Sequence, residues 1–477
     1  MSLSSTASAS VSEGSNLRCK NGIYYTRWGL VVLFAYLLLG DFCLQFMEAV
    51  VPSIMPLQLD AAGASNTIKA AVMGTSTAFF NMVLNPYISF KSDGMRTAWG
   101  RRRPILLLMT PFVCLALVLV AFAPEISRIL QVLGLGKILH GGILPADPSM
   151  SLMVVALAFS VIVFQIFNYL MQPVFYYLFV DVVPDHYIGR FVALFRVVAT
   201  MASLIFQSCI YSHAMTHTRA IYLGSAVLYA VGFLVMILKV KEGTYPPPVH
   251  GKIVSAWGKV RTYARECYSH RHYLLFYARN TFFVLSMAAD MFLVFFLTKS
   301  LHISLADIGG LAAKSTLLLL ILLYPFGILA DRFKPLRVSL AMMLVALPMG
   351  LVSFFFITDL TTFLVLGFAN NVLKGLVASL ELPFYASVPP QDRYGQFGSA
   401  NQLFISVFMI GGTLLAGVFM DWFTEGGARP EMYRYCYIWG FACFTTSTFF
   451  MYLLYLSWRK HGGPNDYIPP SALDPIP

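Results

Sequence analysis

Charged residues are scarce in this sequence: Asp, Glu, Lys and Arg make up 12% of its 477 residues, while 58% are hydrophobic. Soluble domains are about a quarter charged and roughly half apolar, so this balance excludes an ordinary soluble protein. The polar–apolar alternation that marks a membrane β-barrel is also missing. Apolar stretches long enough for a helix of about 20 residues across a bilayer recur instead. We therefore predict an all-α integral membrane protein.

Several signatures of other functional classes are absent. No segment has the form GxxxxGK[ST], which argues against ATP-driven transport. The seven cysteines include no CxxC pair, so we predict neither a disulfide framework nor a metal site. No nucleophile–base constellation typical of a membrane enzyme is found, and we expect no enzymatic activity and no cofactor. The first twenty residues are polar and Ser-rich, unlike the apolar core of a cleavable signal.

The apolar stretches predict twelve transmembrane helices. Most Lys and Arg residues fall between them on the side that also holds both termini. The positive-inside rule places that side in the cytoplasm, so the net charge of +11 indicates orientation in the cell membrane and no nucleic-acid partner. The predicted spans are 28–52, 68–90, 104–123, 151–180, 190–212, 219–240, 273–298, 307–330, 336–357, 361–386, 395–420 and 433–457.

The longest polar stretch between spans divides the chain into two sets of six. It begins with "GTYPPPVHG", in which prolines and glycines forbid a regular helix. Ile253, Trp257, Val260 and Ala264 then recur at helical spacing, which predicts an amphipathic helix on the cytoplasmic membrane surface. The predicted organisation is a disordered cytoplasmic tail 1–27, a first six-helix bundle 28–240, a cytoplasmic linker 241–272, a second six-helix bundle 273–458 and a cytoplasmic tail 459–477.

Two motifs occur once in each half. "SDGMRTAWGRRRP" (Ser92–Pro104) follows the second span, and "ADRFKPLR" (Ala330–Arg337) follows the eighth. "VPDHYIGRF" (Val183–Phe191) follows the fourth span, and "PPQDRYGQF" (Pro389–Phe397) follows the tenth. Duplicated halves around a central site are a common transporter construction. We therefore predict two pseudo-symmetric six-helix bundles.

The charged loop 92–104 resembles the hallmark loop of the major facilitator superfamily, where an Asp precedes Gly and Arg residues between spans two and three. Here Asp93 is followed by Gly100 and three arginines, in a longer SD-x6-GRRRP form. That form is similar to the sucrose–proton symporters of plants and their animal and bacterial relatives. These belong with the glycoside–pentoside–hexuronide:cation symporters. The resemblance implies the major facilitator fold and cation-coupled sugar transport.

A second match lies in the fourth span. "NYLMQP" (Asn168–Pro173), followed by Asp181, resembles the same span of that group. The group usually has an Arg two positions after the Pro, where this chain has Phe175.

The charged loop is predicted to form a cytoplasmic gate. Asp93 can face the positive N-terminus of a neighbouring helix, and Arg101 or Arg102 can pair with Asp181. Such pairs would hold the two halves closed on the inside. The alternative is that these charges only set topology. The predicted gate residues are Asp93, Gly100, Arg101, Arg102 and Asp181, with Asp331 and Arg332 as the second-half copy.

Ionisable residues lie deep within the predicted spans, although each costs about 2.5–3.5 kcal/mol at the bilayer centre. Asp41 and Glu48 are two helical turns apart, with Gln45 on the same face. Arg279 and Asp290 are three turns apart in the seventh span. We expect these groups to face one another or a water-filled central cavity. Proton coupling is assigned to Asp41, Glu48 and Asp290.

The remaining polar residues within the spans are candidates for substrate binding. Lys374 and Glu381 repeat the two-turn spacing in the tenth span, and the alternative for them is an internal salt bridge. Amide side chains suit sugar hydroxyls, and a tyrosine can stack on a sugar ring. The predicted substrate-binding residues are Gln45, Asn81, Asn85, Asn168, Gln172, Tyr176, Tyr177, Arg279, Asn370, Lys374 and Glu381.

The sequence thus predicts a monomeric secondary transporter that imports a sugar, a glucoside or disaccharide, with protons by alternating access. Sodium remains open as the coupling ion. An exporter or antiporter of drugs or metabolites is the alternative within transport, since 15% of the residues are aromatic. A non-transporting membrane sensor is the alternative of another class.

Overall fold

A computed structural model describes residues 18–20, 22–135, 144–243, 256–390 and 393–470, and these are mostly helical. Two short antiparallel strands, β1 (Arg18–Lys20) and β2 (Ile23–Tyr25), precede the first long helix. The prediction of a wholly disordered tail 1–27 is therefore wrong for this hairpin, because its backbone groups pair with each other. Residues 1–17 of that tail lie outside the described residues.

Eleven described helices are long and apolar enough to cross a membrane. A twelfth segment, 66–94, consists of three consecutive helical pieces and packs between two of the eleven. Its Lys69, Asn81 and Asn85 make it more polar than the others. We number the twelve in chain order: α1 Arg27–Ala61, α2 66–94, α3 Arg103–Ala121, α4 Pro148–Val182, α5 Ile188–His213, α6 Thr218–Lys239, α7 Arg271–Ser300, α8 Leu305–Phe333, α9 Pro335–Phe356, α10 Leu360–Ser387, α11 Tyr394–Gly427 and α12 Pro430–Lys460.

Local sequence sets several helix ends. The side chains of Thr26, Asp147 and Ser304 accept hydrogen bonds from the first-turn amides of α1, α4 and α8, as N-cap residues do. Helix α1 continues through Pro52 and Pro56 to Ala61, so the predicted end at residue 52 is wrong. Proline is tolerated inside membrane helices because neighbouring groups satisfy the freed carbonyls.

The helices pack in the same pattern in both halves. In the first half α1 contacts α5 and α6, α3 contacts α4 and α6, and α2 contacts α4. In the second half α7 contacts α11 and α12, α9 contacts α10 and α12, and α8 contacts α10. Adding six to the helix numbers of each contacting pair in the first half gives the contacting pair in the second half. Two pseudo-symmetric six-helix bundles are therefore present.

The two halves meet where α2 packs on α11 and α5 packs on α8. Glycine permits the close approach at both places. A Cβ atom on Gly417 of α11 would lie 2.8 Å from the backbone oxygen of Asn66, and one on Gly309 of α8 would collide with the backbone oxygen of Gln207. Both contacts lie toward the end of the bundle opposite the charged loop, which we call the distal end.

A helix at Ala256–Tyr268 occupies the linker, and the proline-rich start of the linker lies outside the described residues. Tyr263 shares a hydrogen bond of 2.9 Å with Ser399, and the Tyr268 hydroxyl donates to the backbone oxygen of Ala400 at 2.8 Å. The linker helix therefore docks on the start of α11, whereas the sequence predicted contact with the membrane surface. Its tyrosines find hydrogen-bond acceptors there.

Candidate functional site

A polar stripe on α1 faces α4 in the first half. Gln45 donates from Nε2 to the Tyr176 hydroxyl at 3.4 Å. Gln172 donates from Nε2 to Oε1 of Glu48 at 2.5 Å. Asn168, one turn before Gln172, also faces Glu48. Four predicted substrate-binding residues and one predicted proton-coupling residue are thus brought together between two helices.

Asp41 begins this stripe, and its environment is unusual. Its side chain is fully buried, at 0% exposure, and within the described chain neither carboxylate oxygen has a hydrogen-bond partner. Gln45, one turn further along α1, acts on the carboxylate without forming a hydrogen bond of normal geometry, and Arg196 of α5 acts only through longer-range electrostatics. An ionised carboxylate without a partner costs several kcal/mol in such surroundings. A group in this position must lose its charge or gain a partner.

The two asparagines of α2 lie at the boundary between the halves. Asn85 donates its side-chain amide to Asn81 one turn away. Asn81 lines a cavity together with Met287 of α7 and with Gln402 and Ser406 of α11. Asn81 is therefore placed where a substrate between the halves can reach it, and Asn85 supports its orientation.

Arg279 of α7 and Glu381 of α10 form a buried ion pair in the second half. Nη2 of Arg279 lies 2.6 Å from Oε1 of Glu381. The guanidinium is fully enclosed, 4.9 Å from the ring centre of Phe283 and 4.7 Å from that of Phe384. Both residues were predicted to bind substrate. In this conformation they bind each other, and the Arg279 side chain is closed to solvent.

Asp290 and Lys374 form a second pair between the same two helices, and this pair is open. Nζ of Lys374 lies 2.9 and 3.0 Å from the two carboxylate oxygens of Asp290. The side chain of Lys374 remains 39% exposed and that of Asp290 43% exposed. Both line a cavity together with Asn370 and Tyr437. Predicted proton-coupling and substrate-binding residues therefore meet here.

The internal bridge between Lys374 and Glu381, considered as an alternative, is not formed. Helix α10 is interrupted at Leu380, and α7 is interrupted between Ser286 and Asp290. The regular two-turn spacing of Lys374 and Glu381 along α10 is therefore lost. Each of these two residues pairs instead with the opposite charge on α7.

Tyr177 lies away from the other predicted substrate-binding residues. Its hydroxyl is 2.8 Å from Oγ of Ser89, and the guanidinium of Arg102 is 5.0 Å from its ring centre. The prediction that Tyr177 binds substrate is therefore wrong for this structure. The residue faces the charged loop because adjacent residues of a helix point in different directions, so Tyr177 lies on another face of α4 than Tyr176.

The predicted pairing of the charged loop with α4 is present. Nε of Arg101 and Nε of Arg102 lie 3.0 and 3.1 Å from the same oxygen of Asp181. Arg102 also binds Asp93 and Ser92. All five residues belong to the first half. The idea that these pairs themselves bridge the two halves is therefore wrong for this conformation.

Glu242, just after α6, completes the cluster and was missed by sequence reasoning. Its carboxylate accepts the backbone amides of Arg101, Arg102 and Arg103 at 2.7 to 3.0 Å, where α3 begins. A carboxylate is favoured at this positive helix end. Gly100 has φ +102°, and a Cβ atom there would lie 2.5 to 2.7 Å from Glu242 atoms. The feature of the sequence that could have identified Glu242 was an acidic residue directly after the sixth span.

The second-half copy of the charged loop does not reproduce this cluster. Asp331 and Arg332 are exposed, and the guanidinium of Arg332 is 5.5 Å from the ring centre of Phe333. Within the described ranges neither residue forms an ion pair. The predicted gate role of Asp331 and Arg332 therefore has no contact to carry it in this conformation.

Ionic contacts close the distal end. Asp60 of α1 binds Nζ of Lys69 and Nζ of Lys299, both at 2.6 Å, and Lys299 belongs to the second half. Asp421 of α11 accepts the backbone amides of Asn66 and Thr67 at 2.7 and 2.8 Å. These contacts could not be predicted from the sequence, because it does not show which helix ends meet.

The contacts between the halves therefore concentrate at the distal end and in mid-bundle. In mid-bundle, the Thr75 hydroxyl of α2 donates to the backbone oxygen of Ile410 at 3.0 Å and lies 2.8 Å from the Thr413 hydroxyl. The cavity that Asn81 lines begins at this contact, since Thr413 is part of its wall, and it extends along α2 and α11 to Asn81 and Gln402.

Comparison with known proteins agrees with this architecture. The family model described as "MFS/sugar transport protein" matches residues 33–420. A bacterial homolog of the human lysosomal transporter Spinster, solved inward-facing and unoccupied, superposes with TM-score 0.66 at 13% identity, over 91% of this chain and 99% of that one. The nucleoside transporter NupG gives TM-score 0.62 at 12% identity, over 88% and 98%. A D-xylose–proton symporter gives 0.55 at 12% identity, over 94% and 100%. No curated protein is similar enough in sequence to count as a relative.

Proposed function

Since this chain belongs to the MFS/sugar transport protein family of membrane transporters, we propose that it imports a sugar in symport with protons. The proposed substrate is a glucoside or disaccharide. Transport would proceed by alternating access, with the two halves rocking about a site near the membrane midplane.

The unpartnered carboxylate of Asp41 is the observation that carries the proton-coupling proposal. A buried Asp without a hydrogen-bond partner is most easily accommodated as the neutral acid. Glu48, two turns away on the same face, is held by Gln172. We assign the transported proton to Asp41 and the link to substrate to Glu48. Protonation and sugar binding would then be coupled through one polar stripe.

The sugar proposal is supported by the donors and acceptors along that stripe. The amides of Gln45, Gln172 and Asn168 offer both kinds of group, and Asn168 Oδ1 has no partner among the described residues. Tyr176 presents an aromatic ring next to them. A polyhydroxylated ring can satisfy such groups, whereas an apolar substrate would leave them unpaired.

The proposed cycle needs the distal contacts to break. In this conformation Asp60 and Asp421 hold the distal end shut. We further propose that both termini face the cytoplasm, so that the distal end faces outward. Opening it would require new contacts between the halves on the charged-loop side to replace those lost.

Uptake by proteoliposomes tests the proposal. Labelled sucrose, maltose and glucose are supplied with an inward proton gradient, with no gradient, and with sodium in place of the gradient. We expect accumulation of at least one sugar that depends on protons and is abolished by a protonophore. Accumulation driven only by sodium would contradict the proton assignment, and uptake of none of the sugars would contradict the substrate class.

A drug or metabolite exporter is the second candidate, and one observation favours it. The cavity around Asp290 and Lys374 is lined mainly by aromatic and apolar side chains, among them Phe283, Phe441 and Phe444. Such a lining suits an amphiphilic substrate. Proton-driven efflux of a lipophilic dye, with no sugar uptake, would favour this function. A non-transporting sensor would show substrate binding without counterflow.

A further inference from the structure

A cavity lies between the start of α7 and the end of α12, away from the polar stripe of α1. It opens at the same membrane face as the charged loop, because both helix ends lie there. The cavity is lined by His270, Arg271, His272, Leu275, Leu453, Leu456, Ser457, Arg459, Lys460 and His461. Six of these ten side chains are cationic or can become so.

Three of the lining residues carry a permanent positive charge. Arg271, Arg459 and Lys460 are exposed, and none forms an ion pair within the part of the chain that the structure describes. No acidic side chain is among the lining residues. The positive-inside rule accounts for cations on this face, but it does not require that they surround a cavity.

The inner wall of the cavity is built by a hydrogen-bond network. The Tyr467 hydroxyl donates to the backbone oxygen of Val388 at 2.8 Å, so it accepts from Nε2 of His272 at 3.0 Å. Nδ1 of His272 then accepts from Oγ of Ser457 at 2.8 Å. His461 donates from Nδ1 to the backbone oxygen of Ser457 at 2.8 Å. These contacts hold α7, α12 and the chain after α12 in one arrangement.

The deeper wall of the cavity is apolar. Leu453 precedes Lys460 by seven residues on α12, which is about 10 Å along the helix toward the membrane interior. Leu456 and Leu275 lie at similar depth on the two helices. The cavity therefore has a cationic rim at the membrane surface and an apolar wall at the depth of the first acyl carbons.

We propose that this cavity binds the headgroup of an anionic phospholipid. Arginine and lysine side chains bind phosphate oxygens through charge-assisted hydrogen bonds. Basic pockets between helices at this membrane face suit anionic headgroups, and the leucines suit the acyl chains that follow. A soluble phosphate would use the same cations but would gain nothing from the apolar wall. The bound lipid would tie α7 to α12 and so stabilise the second half.

Thermal unfolding of the full chain in mild detergent tests this site. Short-chain phosphatidylglycerol, short-chain phosphatidylcholine and inorganic phosphate are added separately. We expect phosphatidylglycerol to raise the Tm by about 2 °C or more, and the other two to have little effect. An equal response to inorganic phosphate would overturn the lipid assignment, and an equal response to phosphatidylcholine would overturn the requirement for negative charge.

Variants test whether the rise in Tm caused by phosphatidylglycerol arises at this cavity. Changing Arg271, Arg459 and Lys460 to Gln should abolish the response to phosphatidylglycerol. The matched control changes three exposed cations on the same face of the first half to Gln, namely Arg190, Lys239 and Lys241, and should retain it. Loss of the response in the control, or its retention in the first variant, would overturn the proposal.

A second variant fills the apolar part of the cavity and leaves its three cations unchanged. Leu456→Trp places a larger side chain on the apolar wall. We expect it to reduce the phosphatidylglycerol response at least fivefold in apparent affinity while the Tm without lipid changes little. An unchanged affinity would show that lipid does not enter this cavity and would contradict the proposal.

Discussion

Arg279 of α7 and Glu381 of α10 bind each other through two parallel contacts, one of them 2.6 Å long, inside the second half. The guanidinium lies between two phenylalanine rings and is closed to solvent. The sequence placed both residues in the substrate path. Their enclosure indicates that they hold α7 against α10, next to the open pair of Asp290 and Lys374.

This geometry predicts that Arg279→Gln lowers stability strongly. Removing one partner leaves the Glu381 carboxylate buried and unpaired, which costs about 3–5 kcal/mol. The double variant Arg279→Met, Glu381→Leu should recover much of that loss, because it removes both charges. The measurement is thermal unfolding in detergent. A double variant as unstable as Arg279→Gln would show that the pair does more than hold two helices.

Asp41→Asn should uncouple transport from the proton gradient. The amide keeps the shape and size of the side chain but cannot release a proton, so gradient-driven accumulation should fall at least tenfold. Exchange of labelled for unlabelled sugar at equal concentrations should persist, because it needs no net proton movement. Glu48→Gln should impair both accumulation and exchange if Glu48 links protonation to substrate.

The control for these variants is Asp307→Asn, which alters a half-buried carboxylate at the start of α8 that contacts Ser304 of the same helix end. It should transport as the unaltered protein does. Full gradient-driven accumulation by both Asp41→Asn and Glu48→Gln would remove the basis for the proton assignment.

Asp421→Asn should shift the protein toward opening at the distal end. The carboxylate holds two backbone amides and the hydroxyl of Thr67 across the boundary between the halves. Losing the charge weakens three charge-assisted bonds, and a change of about 1–3 kcal/mol alters the balance of conformations about 5- to 150-fold. A cysteine in place of Thr424, which is buried where α11 meets α2 and accepts a hydrogen bond from Asn66, should then react faster with a membrane-impermeant thiol reagent added outside.

For that measurement the native cysteines must first be replaced. Asp307→Asn is again the control, because it also removes one negative charge at the distal end. Equal labelling rates in the two variants would show that Asp421 does not keep this end closed.

Gly100→Ala should destabilise the charged loop. The residue has φ +102°, and the added methyl group would meet the side chain of Glu242. We expect a loss of about 1–3 kcal/mol, seen as a lower Tm and weaker transport. Gly94→Ala is the control, because a Cβ atom there meets nothing within 4 Å. If both variants have the same Tm, the contact with Glu242 is not what requires glycine.

Much of the fold was readable from the sequence, for physical reasons that individual residues illustrate. A membrane interior admits only helices and closed β-barrels, and the polar–apolar alternation of a barrel is missing here, so apolar length predicts helical spans. The duplicated motifs predicted two similar halves. The pairing of Arg101 or Arg102 with Asp181 was also predicted, since opposite charges stand at the ends of these spans on the same side of the membrane.

The misses have a common origin. Glu242, Asp60 and Asp421 act at helix ends, and their partners lie far away in the chain. Tyr177 was grouped with Tyr176, but adjacent residues of a helix face different directions, and only one of them meets α1.

The sequence alone determined that this chain is a twelve-helix membrane protein with a cationic face, because burying peptide groups and charges in hydrocarbon costs too much for any other arrangement. Only the tertiary structure decided which charges are paired. Asp290 and Glu381 each bind a cation on another helix, whereas the Asp41 carboxylate has no hydrogen-bond partner among the described residues. Pairing depends on how helices rotate and where they break, and that is settled by packing between segments distant in the chain.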